Sequence, residues 1–190
     1  ALLISAHVRA ADFLSQQKQY AYSADMPWLA SIQGGRGGQV LRVTNLYKEG
    51  QGSLRAALET KGPRIVVFEV GGVIDLERSV LQVTEPYLTI LGQTAPAPGV
   101  TLIRGGINIR ASQTIIQHLR VRTGADGQSK ASGWEVDGIN ISAAHHVLID
   151  HCSISWAIDE NMSASGPRFK GETPDDWRNG TSHHIMFSNN

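Results

Sequence analysis

The stretch HHVLIDHC, residues 145–152, decides the fold because it returns near the end of the chain as HHIMFSNN, residues 183–190. When the two stretches are aligned, Val147 matches Ile185 and each stretch begins with a histidine pair. Apolar residues fall on apolar residues at alternate positions, which is the period of a β-strand with one buried face. The repeat predicts two equivalent strands that lie side by side in successive turns of a repeating fold.

Two further alignments extend this repeat. The segment IIQHLRV at residues 115–121 matches LIDHCSI at residues 148–154, and DGINIS at residues 137–142 matches DENMSA at residues 159–164. The intervening segments vary in length, as expected where equivalent strands stack and the connecting loops project outward. The pattern predicts an all-β fold, a parallel β-helix or solenoid. A β-sandwich would also show alternation, but it does not require the same polar residue at matched points of successive turns.

The composition suits an all-β chain of the size of one domain. The 190 residues include 20 glycines, and beyond residue 65 short strands are separated by Gly, Pro, Ser and Asn without a long helical period. Seventeen Asp and Glu balance seventeen Lys and Arg, so no long-range field would attract nucleic acid or a membrane surface. We therefore expect neither as a partner. The single cysteine, Cys152, excludes an intramolecular disulfide.

Two regions are expected along the chain: an N-terminal arm at residues 1–33 and a β-helix domain at residues 34–190. Within the second region, alternating residues predict a strand at residues 40–46. Ser53 is a suitable N-cap residue for a short helix, and we expect that helix to run from Leu54 to about Glu59 and to cap the N-terminal end of the β-helix.

Asp137 and Asp159 open matched strands and lie 22 residues apart, close to one turn of the predicted β-helix. Matched side chains of such a fold are one strand spacing apart, about 4.8 Å. Two carboxylates at that distance repel by roughly 3 kcal/mol at an effective dielectric constant of 20. Oxygen ligands in irregular geometry suit Ca²⁺, so both aspartates are metal candidates, with Glu160 and Asn161 as neighbours. Alternatively, each aspartate only stabilises the turn that begins its own strand.

Other polar residues point less clearly to a role. His118 and His151 match in the repeat and are expected to form a stacked, hydrogen-bonded pair. The two HH pairs have no base or nucleophile at a catalytic spacing, so we expect them to be structural. Arg120 and Arg122 flank an apolar residue and should face outward. They would either bind acidic sugars or line a solvated strand face.

Three motifs together resemble the pectate lyases of the polysaccharide lyase family 1 type. They are GGRGGQVLRVTNL at residues 34–46, GSLRAAL at residues 52–58 and VLIDHCSISWAIDEN at residues 147–161. The resemblance covers the chain from about Gly34 to its end and corresponds to the N-terminal portion of such an enzyme. It implies a right-handed parallel β-helix that is secreted and binds a pectic polysaccharide, polygalacturonate, in an outer groove. It also implies Ca²⁺ between protein aspartates and uronate carboxylates, and β-elimination after a basic residue removes the C5 proton.

The family's site residues carry over only in part. Asp137 matches the first acidic metal position of the family and Asp159 a later one, whereas Ser163 stands where the family often has a further aspartate. The resemblance places the catalytic arginine beyond Asn190, so no catalytic residue is assigned. The 190 residues alone would then be inactive, and a C-terminal remainder or a second chain would complete the β-helix.

Two other functions fit a β-helix. A polygalacturonase-type hydrolase would need three carboxylates around a water and no calcium. A carbohydrate-binding or adhesive β-helix would need no catalytic base. The products formed from polygalacturonate with and without calcium distinguish all three.

Overall fold

The structure is a computed structural model that describes residues 26–167 and 169–190. Most of the predicted N-terminal arm, residues 1–33, lies outside the described residues. Its last part contains a short 3-10 helix, Pro27–Ser31, and buries Leu29 and Ile32 against Ile115 and Leu148. No helix among the described residues is both long enough and apolar enough to cross a membrane.

The described strands, numbered in chain order, form three sheets in which every neighbouring pair is parallel. In sheet order, the first contains β1 (Gln39–Val43), β2 (Arg64–Phe68), β5 (Leu88–Leu91), β8 (Thr114–Gln117), β11 (His145–Asp150) and β14 (His183–Ser188). The second contains β4 (Leu81–Val83), β7 (Ile107–Ile109), β10 (Ile139–Ser142) and β13 (Met162–Ser165). The third contains β3 (Gly72–Asp75), β6 (Val100–Ile103), β9 (Arg120–Arg122) and β12 (Ser153–Ser155). Successive strands visit the three sheets in turn, so the chain forms the predicted parallel β-helix.

The interior is built from apolar residues that stack from turn to turn. On the six-stranded sheet, Val66, Ile90, Ile116 and Ile149 are paired in register, and all four are fully buried. The other two sheets contribute similar inward-facing ladders to the same core. Each turn therefore removes apolar surface from water only because the next turn covers it, which explains why matched apolar residues recur along the chain.

The helices are short. α1 (Leu54–Glu59) has the predicted bounds, and α2 (Pro174–Gly180) lies in the last long insertion. The Ser53 side chain accepts a hydrogen bond from the Ala56 amide at 3.2 Å, as expected of an N-cap residue. α1 buries its apolar face against β1 and β4. The predicted helix is thus confirmed.

The predicted strand at residues 40–46 is shorter than expected. β1 ends at Val43 because the amides of Thr44 and Asn45 bond to the carbonyl of Gly52 and leave the ladder with β2. This turn brings the chain directly to Ser53 and the start of α1.

The register confirms two of the three repeat alignments and corrects the third. His145 pairs with His183 and Val147 with Ile185, as predicted. In the second sheet, however, Asn140 pairs with Ser163, so the prediction that Asp137 is opposite Asp159 was wrong by one residue. A slip of one residue would turn every side chain of β13 to the other face. The apolar side chain of Met162 sets the true register, in which Glu160 lies opposite Asp137.

His118 and His151 stack as predicted, with ring centroids 4.9 Å apart and an interplanar angle of 19°, and His151 Nδ1 lies 2.9 Å from Asp150 Oδ1. Loss of hydration lowers the pKa of His118 below its usual value, and the neighbouring His151 lowers it further. The folded protein therefore resists protonation of His118 more than the unfolded chain does.

We expect the free energy of unfolding to fall as the pH drops below about 6.5, the pKa of an unperturbed histidine. His118 contributes to this loss because its pKa is lowered in the folded state. Urea denaturation at pH 7.5 and pH 5.5 measures the change. His118→Asn should show a smaller loss of unfolding free energy because the titrating imidazole is absent. Asparagine is the chosen replacement because it also tolerates the positive φ of 55° at this position. An equal loss in both proteins would contradict this role for His118.

Candidate metal centre

Three predicted metal ligands meet on the outer surface of the β-helix. Asp137 precedes β10, while Asp159 and Glu160 lie in the loop between β12 and β13, one turn further along the chain. One carboxylate oxygen from each residue lies within 4.8 Å of the other two. Asp137 is half-buried, and Asp159 and Glu160 are exposed. We call these three residues the acidic cluster.

Hydrogen bonds from the next turn orient Asp137. The amide of Glu160 donates to Asp137 Oδ1 at 3.2 Å, and the Ser163 hydroxyl donates to Asp137 Oδ2 at 2.5 Å. Ser163 Oγ also lies 3.1 Å from Asn140 Oδ1. The Asp137 carboxylate is thus held by the turn that carries the other two acids, which keeps the acidic cluster together.

The electrostatics of the acidic cluster favour a bound cation. The pKa of Glu160 is raised above its usual value, chiefly by the negative charge of Asp159, and then by loss of hydration and the charge of Asp137. Among the described residues, no ion pair to Lys or Arg neutralises these three carboxylates. A divalent cation would relieve their mutual repulsion without requiring any of them to be protonated.

The donor set indicates which cation fits. All three side chains offer carboxylate oxygens, which are the ligands of Ca²⁺ and Mg²⁺. Their spacing follows from strand register and a loop, so the geometry is irregular and partly open to solvent. Ca²⁺ accepts six to eight oxygens in flexible arrangements, whereas Mg²⁺ requires a near-ideal octahedron. The acidic cluster therefore suits Ca²⁺ better.

Asn161 and the two predicted substrate-binding arginines lie outside this cluster. Asn161 Oδ1 accepts a hydrogen bond from the Ala157 amide and stabilises the loop itself. Arg120 and Arg122 lie on the third sheet, where Arg120 donates to Thr101 and Arg122 donates to Ser153. These bonds tie neighbouring turns together. A sugar contact by either arginine stays a prediction.

Ser163 and Asn140 belong to the site, although neither was predicted as a ligand. The register of the strands could have identified them. Aligning the apolar residues Ile139 and Met162, instead of aligning aspartate with aspartate, pairs Asn140 with Ser163. The same alignment places Asp137 beside Glu160.

Gly138 sets the position of Asp137 because the next turn packs directly against its Cα. A Cβ atom at residue 138 would lie 2.2 Å from Ile154 Cγ2 and 2.6 Å from the carbonyl oxygen of Asn161. We expect Gly138→Ala to reduce the free energy of unfolding by about 1–3 kcal/mol through overpacking, and to weaken cation binding by displacing Asp137. Urea denaturation and calcium titration measure the two effects.

Gly180→Ala is the matched control, since a Cβ atom there meets nothing within 4 Å and the residue ends α2. We expect it to leave both properties nearly unchanged. Equal effects of the two substitutions would show that the close packing at Gly138 does not position the site.

The fold and the acidic cluster together define the class of protein: a parallel β-helix protein with an oxygen-lined acidic cluster on its outer surface.

No protein-family model matches the chain. It is 45% identical over 138 residues to a probable pectate lyase C from Emericella nidulans and 41% identical over 138 residues to a probable pectate lyase C from Aspergillus flavus. Each alignment covers 72% of this chain and 31% of the relative, so the chain spans about a third of the length of these relatives.

A more distant relative and a solved structure also match the chain. The chain is 28% identical over 148 residues to pectate lyase 5 from Ambrosia artemisiifolia, an alignment that covers 69% of this chain and 36% of that protein. The crystal structure of the major allergen from cedar pollen superposes with a TM-score of 0.55 at 25% identity, covering 71% of this chain and 43% of the allergen. Over most of its length the chain is similar to pectate lyases, in agreement with the resemblance of its three motifs.

Proposed function

We propose that this protein takes part in the cleavage of polygalacturonate by calcium-assisted β-elimination, with Asp137, Asp159 and Glu160 as the calcium ligands. The observation that carries the proposal is the convergence of three carboxylates within 4.8 Å in a pectate lyase homologue. A polymer of uronate units has a negative charge on every sugar, so it would be repelled by the bare acidic cluster and attracted once a cation is bound.

When bound, Ca²⁺ would neutralise the uronate carboxylate next to C5, which would make the C5 proton more acidic. The acidic cluster would hold the ion, and the Ser163 hydroxyl and the Glu160 amide orient the Asp137 carboxylate. A general base would remove the C5 proton, the C4–O bond would break to leave a C4–C5 double bond, and the departing oxygen would take a proton from solvent to become the hydroxyl of a new reducing end. We assign no base to a described residue.

The loop that carries two of the acids also offers apolar surface to a sugar. Trp156 is 72% exposed and Ile158 is 38% exposed, and both precede Asp159 closely in the chain. An exposed aromatic ring can cover the apolar face of a pyranose, while the charged substituent of the sugar points to the cation. This combination supports a carbohydrate ligand. Since pectin is a cell-wall polymer, we propose that the protein acts outside the cell, as a secreted protein.

The acidic cluster also has the three carboxylates that a polygalacturonase-type hydrolase would need. An inverting hydrolase keeps its two carboxyl groups about 6.5–9.5 Å apart to admit a water. One oxygen from each carboxylate of this cluster lies within 4.8 Å of the corresponding oxygens of the other two, which favours a shared cation over an intervening water.

The test is incubation of the protein with polygalacturonate in the presence and absence of calcium. A rise in near-ultraviolet absorbance that requires calcium reports the unsaturated product and supports the lyase. New reducing ends without that absorbance identify a hydrolase. Calcium-dependent retention on immobilised polygalacturonate without any product identifies a binding protein.

A further inference from the structure

Three short segments of the chain have the pattern Asn-X-Ser/Thr, in which X is not proline. They are NIS at residues 140–142, NMS at residues 161–163 and NGT at residues 179–181. This pattern is the acceptor for N-linked glycosylation in secreted proteins of eukaryotes. Such a short pattern also occurs by chance, so the surroundings of each asparagine in the fold decide which of them can carry a glycan.

The NIS segment lies inside a sheet. Asn140 belongs to β10, which pairs with β7 on one side and with β13 on the other, so Asn140 lies between Asn108 and Ser163. Asn140 is half-buried, and its Oδ1 lies 3.1 Å from Ser163 Oγ. Neighbouring strands are only about 4.8 Å apart. A glycan on the amide nitrogen of Asn140 would therefore displace one of its two neighbours in this row.

The NMS segment belongs to the candidate metal centre. Asn161 is exposed, but its Oδ1 accepts a hydrogen bond from the Ala157 amide and its carbonyl accepts one from β10. Ser163, which supplies the hydroxyl of this segment, donates that hydroxyl to Asp137. A glycan on Asn161 would stand next to Glu160 and would obstruct a polymer that approaches the acidic cluster.

The NGT segment lies outside the sheets, at the end of α2 and before β14. Asn179 is exposed, and neither Asn179 nor Thr181 makes a side-chain hydrogen bond to another residue that the structure describes. A Cβ atom added at Gly180 would meet nothing within 4 Å, so there is open space beside Asn179. The side-chain amide of Asn179 is therefore free to react and has room for a bulky substituent.

The NGT segment is also separated from the acidic cluster. Thr181 lies beside Gly166, the residue that follows β13, because a Cβ atom at Gly166 would be 2.8 Å from the Cα atom of Thr181. The acidic cluster lies before β10 and β13, at the opposite end of these strands. β13 is four residues long, so its two ends are about 10 Å apart. A glycan at Asn179 would thus leave the acidic cluster open.

We propose that Asn179 is an N-glycosylation site of this protein and that Asn140 and Asn161 carry no glycan. This assignment rests on the proposed function, since a secreted protein meets the enzyme that transfers the glycan. The relatives from Emericella nidulans, Aspergillus flavus and Ambrosia artemisiifolia are proteins of eukaryotes, which attach N-linked glycans during secretion.

The donor of the glycan is a polyprenyl diphosphate-linked oligosaccharide, supplied by the cell. The Nδ2 atom of Asn179 forms a bond to C1 of the first N-acetylglucosamine, and the bond from C1 to the diphosphate oxygen breaks. The polyprenyl diphosphate leaves, and the amide nitrogen gives up one proton. The hydroxyl of Thr181 is the third element of the pattern that the transferase recognises.

The proposal is tested by secreting the 190-residue protein from yeast behind a host leader peptide. The mass of the secreted and of the cell-retained protein is measured before and after treatment with peptide N-glycosidase. We expect one glycan per chain. The glycosidase converts a glycosylated asparagine to aspartate, so peptide mapping should find this conversion at Asn179 and not at Asn140 or Asn161.

Four variants make the assignment specific. Asn179→Gln and Thr181→Ala should each abolish the glycan, the second with the acceptor asparagine still present. Thr181→Ser keeps the pattern and should keep the glycan. Asn161→Gln is the matched control, because it removes an exposed asparagine of the same pattern and should leave the glycan in place.

The proposal is overturned if the protein carries no glycan, if the glycan is on Asn140 or Asn161, or if Thr181→Ala retains it. These measurements involve neither polygalacturonate nor calcium, so they remain valid if the protein cleaves no polymer. A protein glycosylated at Asn179 that cleaves no polygalacturonate would count against the proposed function and not against this site.

Discussion

Asp137→Asn should weaken calcium binding by at least about tenfold, the smallest loss typical of disturbing a metal site. The substitution removes one of three negative charges and leaves an amide whose NH₂ group repels the cation. Asp137 is also the member of the acidic cluster that the neighbouring turn orients, through the Ser163 hydroxyl and the Glu160 amide. Isothermal titration with CaCl₂ measures the affinity directly, independent of substrate or catalysis.

Two further variants test whether the loss of calcium affinity is specific to Asp137. Glu59→Gln removes an exposed carboxylate at the end of α1, away from the acidic cluster, and should leave calcium affinity unchanged. Ser163→Ala keeps all three charges but removes the hydroxyl that holds Asp137, so its effect should be smaller than that of Asp137→Asn. If Asp137→Asn and Glu59→Gln bound calcium equally well, Asp137 would not be a ligand.

The second large effect concerns the stability of the protein and the buried side chain of Arg64. Arg64→Met should lower the free energy of unfolding by at least about 3 kcal/mol, because buried carbonyls lose charged donors and each unsatisfied group costs about 1–3 kcal/mol. Arg64 is fully buried at the start of β2. Its guanidinium donates to five backbone carbonyls, those of Ala57, Leu58, Gly62, Glu85 and Pro86.

These carbonyls belong to α1, to the loop that follows it and to the turn before β5, so Arg64 joins three segments of the chain. Methionine approximates the length of arginine and fills part of its volume, so the loss measured reports hydrogen bonding more than a cavity. Urea denaturation followed by circular dichroism gives the free energy.

Arg42→Met is the matched control. Arg42 is exposed and pairs with Glu69 on the surface, an interaction typically worth about 0–1 kcal/mol. If Arg64→Met cost no more than Arg42→Met, the five carbonyl contacts would not stabilise the start of the β-helix.

The fold was predictable because each turn must bury the turn before it. The match of Val147 with Ile185, read from the sequence, is a real strand pair, and Ser53 marked the start of α1 one residue before Leu54. In both cases the signal is local: alternation for a strand and a hydroxyl before an apolar face for a helix.

The proximity of Asp137, Asp159 and Glu160 was predictable from the sequence, but their register was not. Matching Asp137 with Asp159 followed residue identity, whereas the pairing of Ile139 with Met162 follows burial. The loop at residues 156–161 absorbs the one-residue difference, and its conformation allows Asp159 and Glu160 to reach the same region. No periodic pattern reports how such a loop folds, since its backbone bonds are not those of a ladder.

Arg64 and the two HH pairs show what local patterns leave out. An arginine at the start of a strand usually faces solvent, and only the assembled turns reveal the carbonyls around Arg64. In the sequence, no base or nucleophile lies at a catalytic spacing from either HH pair. Their stacking depends on the register between turns together with the left-handed conformation of His146 and His184.

Anomalous scattering from crystals grown with CaCl₂ would locate calcium on the protein directly. We expect one ion with oxygens of Asp137, Asp159 and Glu160 at about 2.3–2.6 Å. No ion at the acidic cluster under saturating calcium, or calcium bound only elsewhere on the described surface, would contradict it.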